Sequence, residues 1–530
     1  MRPIQRTKPL RALWASLAIT SVAALGVAQH VEDPFEPGLR WSRQSTADTP
    51  WIPGRVLFTD GDQLAWASSG PLGACVEAYS AWGTGQQEVL SRSEEPSAGA
   101  RVWDLAGSAG SDALFAVIHA PALLGGEVRL VRYPAPSAQG AGASQPLWSV
   151  PSPAIETGSA RVACDSSGDR VCFTSWDAQQ KRTYVRWHRA SDGGIVGATE
   201  VVAADLDLLT MSADGGLTLA TAGERVWVWD SSGALIHYEV TGAEVRIADF
   251  DADGAHLLLG HGSRARLLTR TTGGFLELAR VDGASTDLAT SGALSESAAG
   301  WAVAWCDDSL GTARFSLYQG LSDVLLSEHQ QSGAAGRRQN IPQAVSITPS
   351  GERAAFATWG DGEQEELLLL DAAGFVWAVD LPGSATDVAL DRSGRRLLVS
   401  HKDAHANEAS SGGAVRLFDT GEGDLALIAA PRPGGALSVE CEAAGASVAF
   451  FLFGEPVEAS VDLPFVHGEL WVSLHSRLLV RARRPGHDGR ARCELNLPEN
   501  AVDLELAVQA VMRREGALEA STDHLIVRPR

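Results

Sequence analysis

Two histidines and an aspartate stand close together in the segment SHKDAHANEASSGG, which begins at Ser400. His401, Asp403 and His405 are residue types that ligate divalent metals or exchange protons in acid–base catalysis. The nearby segment WGDG adds the aromatic ring of Trp359 and the carboxylate of Asp361. Because the sequence offers no recognisable fourth metal ligand, we favour a long polar loop with solvated or hydrogen-bonding histidines over a catalytic or metal centre. We keep the five residues as candidates for ligand binding.

A second segment with the residue types of a metal site is ADFDADGAHLLLG. Asp249, Asp251 and Asp253 alternate and are followed by a glycine, which is how an oxygen-ligand calcium loop begins. The ninth and twelfth positions of such a loop should continue the ligand set, but here they are Leu257 and Gly260. We therefore interpret the segment as a turn between two strands and keep the three aspartates as weak candidates for metal ligands.

Other patterns of enzyme chemistry are missing from the sequence. It contains no zinc-protease helix motif, no serine nucleophile elbow, no phosphate-binding loop and no dinucleotide-binding glycine pattern. Tryptophans are the remaining candidates, and we expect them to fill the space between neighbouring repeats rather than line a ligand face. The tryptophans in or beside predicted strands are Trp176, Trp227, Trp229, Trp301, Trp305, Trp359 and Trp377.

These residues belong to a repeated pattern of short strands. Segments such as RVACDSSGDRVCFTSWD and DVALDRSGRRLLVSH each give an apolar strand, a polar turn ending in glycine and a second apolar strand. Segments such as RVWVWDSSGALIHYEV then supply two more strands. The turn glycines recur about every 40 to 47 residues, and four strands at this period are typical of propeller blades. The sequence therefore predicts an all-β fold with a seven- or eight-bladed β-propeller.

The composition changes at the segment APRPGGAL, which is rich in proline and glycine. After it the strands continue, but the four-strand pattern ends. We predict a propeller over residues 51–432 and a small antiparallel β-sandwich over 433–530. Residues 29–50 are predicted to form an N-terminal linker or strand.

The N-terminus has the pattern of a secretory signal peptide. A basic segment, MRPIQRTKPLR, precedes the apolar run ALWASLAITSVAALGVA, and small residues stand just before position 29. The run is short for a membrane span, so cleavage is favoured over an uncleaved anchor. We predict that residues 1–28 are removed and that the chain is periplasmic, cell-surface or extracellular, with no membrane span after cleavage.

Six cysteines in an exported chain permit disulfides. Cys164 and Cys172 flank one tight turn, and Cys441 and Cys493 lie in separate strands near the C-terminus, so we consider the pairs Cys164–Cys172 and Cys441–Cys493. No CxxC spacing occurs, which argues against structural zinc. The formal net charge of -22 argues against nucleic-acid binding, which requires clustered Lys and Arg.

The repeats resemble known propeller families. LLLLDAAGFVWAVDLPG is similar to the repeats of pyrroloquinoline-quinone-like propellers, and VSITPSGERAAFAT and VALDRSGRRLLVS resemble first hairpins of WD-repeat and YVTN-type bacterial propellers. The layout as a whole resembles secreted propeller proteins of planctomycete-like bacteria. The quinoprotein resemblance implies a quinone with calcium and commonly adjacent cysteines. Because this sequence has no adjacent cysteines, we expect no cofactor.

These observations predict an exported β-propeller scaffold that binds a protein or glycan partner, with no catalysis evident. One alternative is an extracellular hydrolase or lyase with a His/Asp site on the propeller loops around the channel. Another is a structural cell-surface protein. An enzyme should bring acidic and histidine side chains together at one channel mouth with perturbed pKa values. A binding protein should instead expose an apolar or aromatic patch.

Overall fold

The computed structural model describes most of the chain between residues 39 and 527. The described residues are 39–45, 50–59, 63–71, 73–80, 89–95, 99–108, 113–120, 127–134, 145–307, 311–332, 339–360, 364–391, 394, 396–410, 412–420, 426–429, 436–442, 447–454, 456–462, 466–467, 469–473, 478–484, 490–496, 506–514 and 517–527. They form 42 strands in two compact units. None of the described residues lies in a helix long and apolar enough to span a membrane.

The first unit, Leu39–Thr420, consists of eight four-stranded antiparallel sheets, or blades. Blade 1 contains β2 (Ile52–Thr59), β3 (Gln63–Gly70), β4 (Gly73–Ser80) and β5 (Val89–Glu95). Blade 2 contains β6 (Arg101–Gly107), β7 (Leu114–Ala120), β8 (Glu127–Tyr133) and β9 (Trp148–Pro151). Blade 3 contains β10 (Thr157–Cys164), β11 (Arg170–Asp177), β12 (Arg182–Arg189) and β13 (Ile195–Val202).

The next three blades repeat this order of strands. Blade 4 contains β14 (Leu208–Met211), β15 (Leu217–Ala222), β16 (Arg225–Asp230) and β17 (Leu235–Val240). Blade 5 contains β18 (Val245–Phe250), β19 (His256–His261), β20 (Arg264–Thr271) and β21 (Gly274–Asp282). Blade 6 contains β22 (Asp287–Leu294), β23 (Gly300–Asp307), β24 (Thr312–Gln319) and β25 (Leu325–Gln331).

The last two blades close the ring. Blade 7 contains β26 (Pro342–Ile347), β27 (Arg353–Thr358), β28 (Leu367–Asp371) and β29 (Gly374–Val379). Blade 8 contains β30 (Ala385–Leu390), β31 (Arg396–Lys402) and β32 (Gly413–Asp419), and its outermost strand is β1 (Leu39–Gln44). β1 pairs antiparallel with β32, with Ser42 opposite Arg416.

The first strands of the eight blades contact one another in a closed ring that runs from β2 through β6, β10, β14, β18, β22, β26 and β30 back to β2. The first strand of each blade is therefore the innermost one, and the fourth is the outermost. The propeller prediction is confirmed, with eight blades. The strand that completes blade 8 comes from the segment for which the sequence predicted a linker or strand.

The core of the propeller is divided among the junctions between blades. Eight apolar clusters lie there, one at each junction. Side chains of a strand alternate between its two faces, so each second strand serves two clusters. In β7, Leu114 and Ala116 pack toward blade 1, whereas Phe115 and Val117 pack toward blade 3. This is why the second strands read as continuous apolar runs: both of their faces are buried.

The second unit includes Gly421–Arg530. Its strands are β33 (Ala426–Ala429), β34 (Ala436–Glu442), β35 (Val448–Gly454), β36 (Pro456–Asp462), β37 (Val466–His467), β38 (Glu469–Val472), β39 (Leu479–Arg483), β40 (Arg490–Asn496), β41 (Leu506–Arg514) and β42 (Ala517–Val527). β33 pairs with β34, so the unit begins somewhat before the predicted boundary at 432.

Two sheets of the second unit share one apolar core. A sheet of β33, β34 and β40 and a sheet of β37, β42, β41, β35 and β39 both contribute to it. Phe451 and Phe453 of β35 point into this core, and the intervening Leu452 points into a second cluster on the other face. β37 and β42 pair in parallel, whereas the other ladders among the described residues of this unit are antiparallel.

Candidate functional site

The predicted polar cluster lies at one end of the propeller, at the junction of blades 7 and 8. Trp359 follows β27 directly, and the loop that contains Asp403 and His405 follows β31. We call this end, where second strands end and third strands begin, the upper face. At the opposite end, the lower face, first strands turn into second strands. Asp361 lies outside the described residues.

Trp359 and His405 meet and join the two blades. Their rings are edge to face, with centroids 6.2 Å apart and an interplanar angle of 89°. The indole N–H of Trp359 donates to Gln343 Oε1 at 2.8 Å. Ser384 Oγ donates a hydrogen bond to the main-chain carbonyl of Trp359 at 2.5 Å. The same Ser384 Oγ accepts a hydrogen bond from the amide of Ala406 at 2.7 Å. This network links the loop of blade 7 to the loop of blade 8.

Both ring nitrogens of His405 have partners within the chain. Nδ1 accepts a hydrogen bond from the amide of Asn407 at 3.2 Å, which leaves the proton on Nε2. Nε2 then donates to the carbonyl of Gln339 at 3.4 Å. The imidazole is buried. The lone pair of Nδ1, which a metal would need, accepts the hydrogen bond from Asn407, and Nε2 carries the proton.

Lys402 organises the same loop, and sequence reasoning did not single it out. Its ammonium group donates to the carbonyl oxygens of His405 and Ala406, both at 3.3 Å, and to that of Glu408. The amide of Glu408 also donates to the carbonyl of His405 at 2.8 Å, which closes a tight turn. The available signal was composition, because lysine is rare in this arginine-biased sequence.

His401 and Asp403 form a separate pair below this turn. His401 Nδ1 lies 4.0 Å from Asp403 Oδ1, and the imidazole is completely buried. Burial, with a contribution from nearby Arg416, lowers the pKa of His401 to about 3, so the ring is neutral above that pH. Burial also raises the pKa of Asp403. Within the described part of the chain, His401 Nε2 and Asp403 Oδ1 have no hydrogen-bond partner.

Glu366 is a buried acid at the same junction. Its carboxylate accepts a hydrogen bond from the amide of Leu381 at 2.6 Å and packs so closely on Gly360 that a side chain at residue 360 would overlap it. Burial, together with the neighbouring Asp380, raises the pKa of Glu366 to about 8. The structure therefore contains perturbed groups here, but they serve separate contacts. Across the described residues, no three His, Cys, Asp or Glu side chains are placed to hold a metal ion.

The three alternating aspartates have different partners. Asp249 lies on the innermost strand β18, and its Oδ2 accepts a hydrogen bond from the amide of Leu294 on blade 6 at 2.9 Å. Asp104 and Asp387 make the same kind of bond, to Val162 and Val56 of the next blades. An innermost strand has a free edge toward the channel, and these carboxylates satisfy its amide groups. The Asp249 side chain thus connects blades 5 and 6 through a hydrogen bond.

Arg55 forms ion pairs with two of these carboxylates, Asp104 and Asp387, but not with Asp249. Its guanidinium lies 3.4 Å from Asp104 Oδ1 and 3.8 Å from Asp387 Oδ1. These two acids raise the pKa of Arg55. No described cation lies within salt-bridge distance of Asp249, and burial raises the pKa of Asp249 to about 7.

Asp251 and Asp253 belong to the lower-face turn. Asp251 accepts hydrogen bonds from the amide of His256 at 2.9 Å and contacts the His256 ring nitrogen Nδ1 at 2.6 Å. Asp253 accepts one from the amide of Ala255 at 3.0 Å. Gly254 has a φ of 67°, a conformation that glycine adopts without steric cost. The prediction that this segment is the turn between the first two strands of a blade is confirmed.

The cysteine predictions have different outcomes. Cys172 lies opposite Ala163 and Cys164 lies opposite Val171, so the two thiols point to opposite faces of their hairpin. They belong to different apolar clusters, and the predicted pair Cys164–Cys172 is wrong. The error was one of register, because a shift of one residue reverses the face.

Cys441 and Cys493 lie on the paired strands β34 and β40. They are in diagonal positions, since Cys441 is opposite Ala491 and Cys493 is opposite Val439. Both point into the same apolar core of the second unit. A disulfide between them stays a prediction.

The tryptophans of the middle blades fill the junctions, as expected from the sequence. Trp301 and Trp305 are completely buried between blades 5 and 6. Trp227 and Trp229 are buried between blades 3 and 4, where Trp229 meets Trp187 edge to face at 6.1 Å. The expectation of packing between blades is confirmed for these residues.

Exposed apolar side chains are concentrated on the outside of the ring. They lie on the outermost strands of blades 3 to 7 and on the turns that lead into them, and we call this set the rim surface. Its members are Ile195, Val196, Val202, Leu235, Tyr238, Val240, Leu276, Leu278, Leu321, Val324, Leu325 and Phe375. The sequence did not indicate this surface.

A groove of about 340 Å³ opens in the rim surface between blades 3 and 4. One wall is β13, with Thr199 and Val201, and the other is formed by β16 and β17. Trp229 lies at the bottom of the groove and Tyr238 on its outer wall. The groove is open to solvent, and its lining combines apolar side chains with the polar residues Thr199, Glu200 and Arg225. A concave surface of mixed chemistry is a candidate binding site.

Comparisons with known proteins give the fold. No family model matches the sequence, and no curated protein is significantly similar to it. Among solved structures, Sqt1 of Chaetomium thermophilum is similar, with a TM-score of 0.51 and 13% identity over 71% of this chain and 96% of that one. The same protein bound to the N-terminus of the ribosomal protein L10 gives a TM-score of 0.50 at 13% identity, covering 70% and 97% of the two chains.

A third structure, the C-terminal WD40 domain of Sif2, is 13% identical, with a TM-score of 0.48 and coverage of 72% of this chain and 99% of that one. At 13% sequence identity, the likeness of this chain to the two Sqt1 structures shows a shared fold and nothing more. The eight four-stranded blades and this likeness together give a WD40-like β-propeller.

Proposed function

We propose that this chain is a scaffold that binds a protein partner through the rim surface. The observation that carries the proposal is the run of exposed apolar side chains on the outermost strands of five consecutive blades. Exposed apolar side chains that recur on neighbouring strands gain free energy when another molecule covers them. At the junction of blades 7 and 8, by contrast, the polar groups of Trp359, Lys402 and His405 are hydrogen-bonded within the chain.

The chemistry of the exposed side chains supports a protein rather than a glycan as the partner. Most of the rim surface is aliphatic, with Leu, Ile and Val outnumbering the aromatic Tyr238 and Phe375. Aliphatic side chains gain from desolvation against other apolar groups, whereas a sugar would keep its hydroxyl groups hydrated. Sqt1 is a propeller that has been solved with a protein segment bound. A role of that class, with a different partner, is what we propose here.

Site-specific photocrosslinking tests this proposal. A benzoylphenylalanine is placed at Tyr238, Leu276 or Phe375 of the rim surface, and at Ser167 or Glu352 on exposed turns of the lower face as controls. After irradiation in an extract of the native cells, we expect one protein adduct common to the rim positions and absent from the two controls. Equal adducts at rim and control positions, or none at the rim, would contradict the proposal.

We also propose that the scaffold acts outside the cytoplasm. The basic and apolar pattern of residues 1–28 supports this. The test is N-terminal sequencing of the protein isolated from its native cells. We expect the mature chain to begin at Gln29, and a protein that retains Met1 and fractionates with the cytoplasm would contradict this part of the proposal.

A further inference from the structure

The outermost strand of blade 4 combines an open edge with an apolar ladder. In its sheet β17 pairs with β16, and no described strand pairs with its other edge. Leu235, Tyr238 and Val240 of β17 point to the groove side and are 53%, 50% and 52% exposed. Their partners across the ladder are Trp229, Trp227 and Arg225. An open edge beside an apolar face is a template for another strand.

The edge of β17 lacks the charged side chains that protect its neighbour. On β21, the outermost strand of blade 5, Glu277, Arg280 and Asp282 are partly exposed and take part in ion pairs along the strand. The acid of β17, Glu239, points away from the groove and is held by Arg266 at 2.6 Å. Charged residues on an edge strand prevent pairing with other chains, so β17 is open on its groove side.

Arg225 supplies a positive charge at the upper end of the groove. One of its nitrogens donates to the carbonyl of Ala203 at 2.9 Å, and the guanidinium lies 5.3 Å from the ring centroid of Trp227. A guanidinium has five N–H donors, and the described residues supply one acceptor. The acid of the groove, Glu200, is already paired with Arg182 at 2.7 Å. The groove therefore offers an uncompensated cation to an incoming carboxylate.

We propose that β17 accepts an extended peptide of the partner protein as a fifth strand of blade 4. Alternate apolar residues of this peptide lie in the groove beside Leu235, Tyr238 and Val240, and a carboxylate near one end binds Arg225. Strands are spaced about 4.8 Å apart, so a residue of the added strand is about 9.6 Å from the strand of Arg225. A glutamate and an arginine side chain together span that distance. This inference rests on the proposed function and names the chemistry of the partner.

The experiment uses the full mature chain and a phage-displayed library of random dodecapeptides. Enriched peptides are synthesised, and their binding to the wild type and to three variants is measured by fluorescence anisotropy. Tyr238→Lys places a charge in the apolar ladder, and Arg225→Gln removes the cation. Ser167→Lys is the control, since Ser167 is exposed on a lower-face turn of blade 3 and is not part of the rim surface. Thermal unfolding of each variant checks that it is folded, with Tyr238→Ser as a milder replacement.

We expect enriched peptides to alternate apolar and polar residues and to carry an acid near one end. Tyr238→Lys weakens their binding by about tenfold or more, and Ser167→Lys leaves it unchanged. Arg225→Gln weakens binding of the acidic peptides by about tenfold and has no effect on peptides in which the acid is replaced by its amide. This second comparison separates loss of the charge contact from a general disturbance of the groove.

Two results would overturn the inference: a library that yields no alternating peptides, or selected peptides that bind Tyr238→Lys as tightly as the wild type. Either result combined with rim-specific photocrosslinks leaves the scaffold function standing with another mode of contact. Absence of both the crosslinks and the peptides rejects the function and the inference together.

Discussion

The junction of blades 7 and 8 and the groove between blades 3 and 4 use opposite residue types for opposite purposes. At the first junction Trp359 and His405 lie in two loops and Lys402 ends β31, and the hydrogen bonds of all three are made within the chain. At the groove, Tyr238 and Leu235 are ordinary strand residues, and half of each side chain faces solvent. The residues that the sequence suggested as a binding site connect two blades, whereas Leu235 and Tyr238, which look like ordinary strand residues, are exposed.

The difference has a physical reason. A long polar loop at a blade junction must satisfy its buried backbone groups, and lysine, histidine and serine side chains do so efficiently. Apolar residues on an outermost strand have no neighbouring sheet to cover them. Exposed apolar side chains are therefore the better guide to binding in this propeller. Polar clusters whose hydrogen bonds are made within the chain are a guide to stability.

The largest effect is expected for the floor of the groove. Trp229 is 3% exposed and packs against Trp187, so Trp229→Ala should lower the free energy of unfolding by about 3–5 kcal/mol. Leu235, its cross-strand neighbour, is half-exposed, and Leu235→Ala should cost less than about 1 kcal/mol. Urea denaturation of both variants measures this. Equal losses would show that floor and wall of the groove do not differ in burial.

A pH effect is expected at the junction of blades 7 and 8. The pKa of Glu366 in the fold is about 8, above its ordinary value of 4.5. Its contribution to stability is therefore fully present below about pH 4.5 and is lost as the pH rises through 8. Glu366→Gln stays neutral, so the free energy of unfolding of this variant should rise relative to that of the wild type by about 4 kcal/mol between pH 5 and pH 9.

Urea denaturation of the wild type and Glu366→Gln at the two pH values tests this expectation. The exposed Glu352, changed to Gln, is the control and should keep the pH dependence of the wild type. A constant difference between wild type and Glu366→Gln at both pH values would mean that Glu366 is ionised in the fold.

A smaller loss is expected for the lysine of the upper-face loop. Lys402→Met removes the ammonium donor from the carbonyl oxygens of His405 and Ala406, although the former keeps the amide of Glu408, and the free energy of unfolding should fall by about 1–2 kcal/mol. Hydrogen exchange at Ala406 and Asn407 should accelerate, while peptide binding at the groove should not change. Lys181→Met, at an exposed turn, should stay within about 0.5 kcal/mol of the wild type. Weaker peptide binding at the groove in Lys402→Met would contradict this expectation and would show that the two regions are coupled.

The smallest stability effect is expected at the groove wall. Tyr238→Ser removes a half-exposed ring whose nearest aromatic contact is Trp227, with centroids 5.7 Å apart. The free energy of unfolding should change by less than about 1 kcal/mol. Thermal and urea unfolding measure it. A loss comparable to that of Trp229→Ala would show that Tyr238 is a core residue rather than part of a binding surface.

Much of the fold could be predicted because it is encoded locally. The turn around Gly254 requires a residue that tolerates a positive φ, and the doubly buried second strands require continuous apolar runs. Among the described turns, the positive-φ glycine recurs in blades 3, 4, 5, 7 and 8, so the sequence displays the pattern several times, whereas Ala298 takes that conformation in blade 6. The face of a strand is encoded less securely, as Cys164 and Cys172 show: they flank one turn, but their positions in the ladder place the two thiols on opposite faces of the hairpin.

The contacts that decide function are non-local and were not predictable in this way. Ser384 joins Trp359 to Ala406 through two hydrogen bonds across a blade junction, and no spacing in the sequence indicates it. The exposure of Leu235 and Tyr238 depends on their strand being the outermost of four. The alternation of apolar residues alone does not distinguish that position from a buried one.

The pairing of β1 with β32 sets an order of events for the chain. Ser45 and Gly413, hydrogen-bonded beside this ladder, are 368 residues apart in sequence. β1 is synthesised before any blade exists and has no partner until the third strand of blade 8 has formed. Contacts between such distant segments form late, because the loop between them must be ordered first. β1, which precedes every other strand of the propeller, is therefore incorporated last, and until then β32 is an open edge to any other chain.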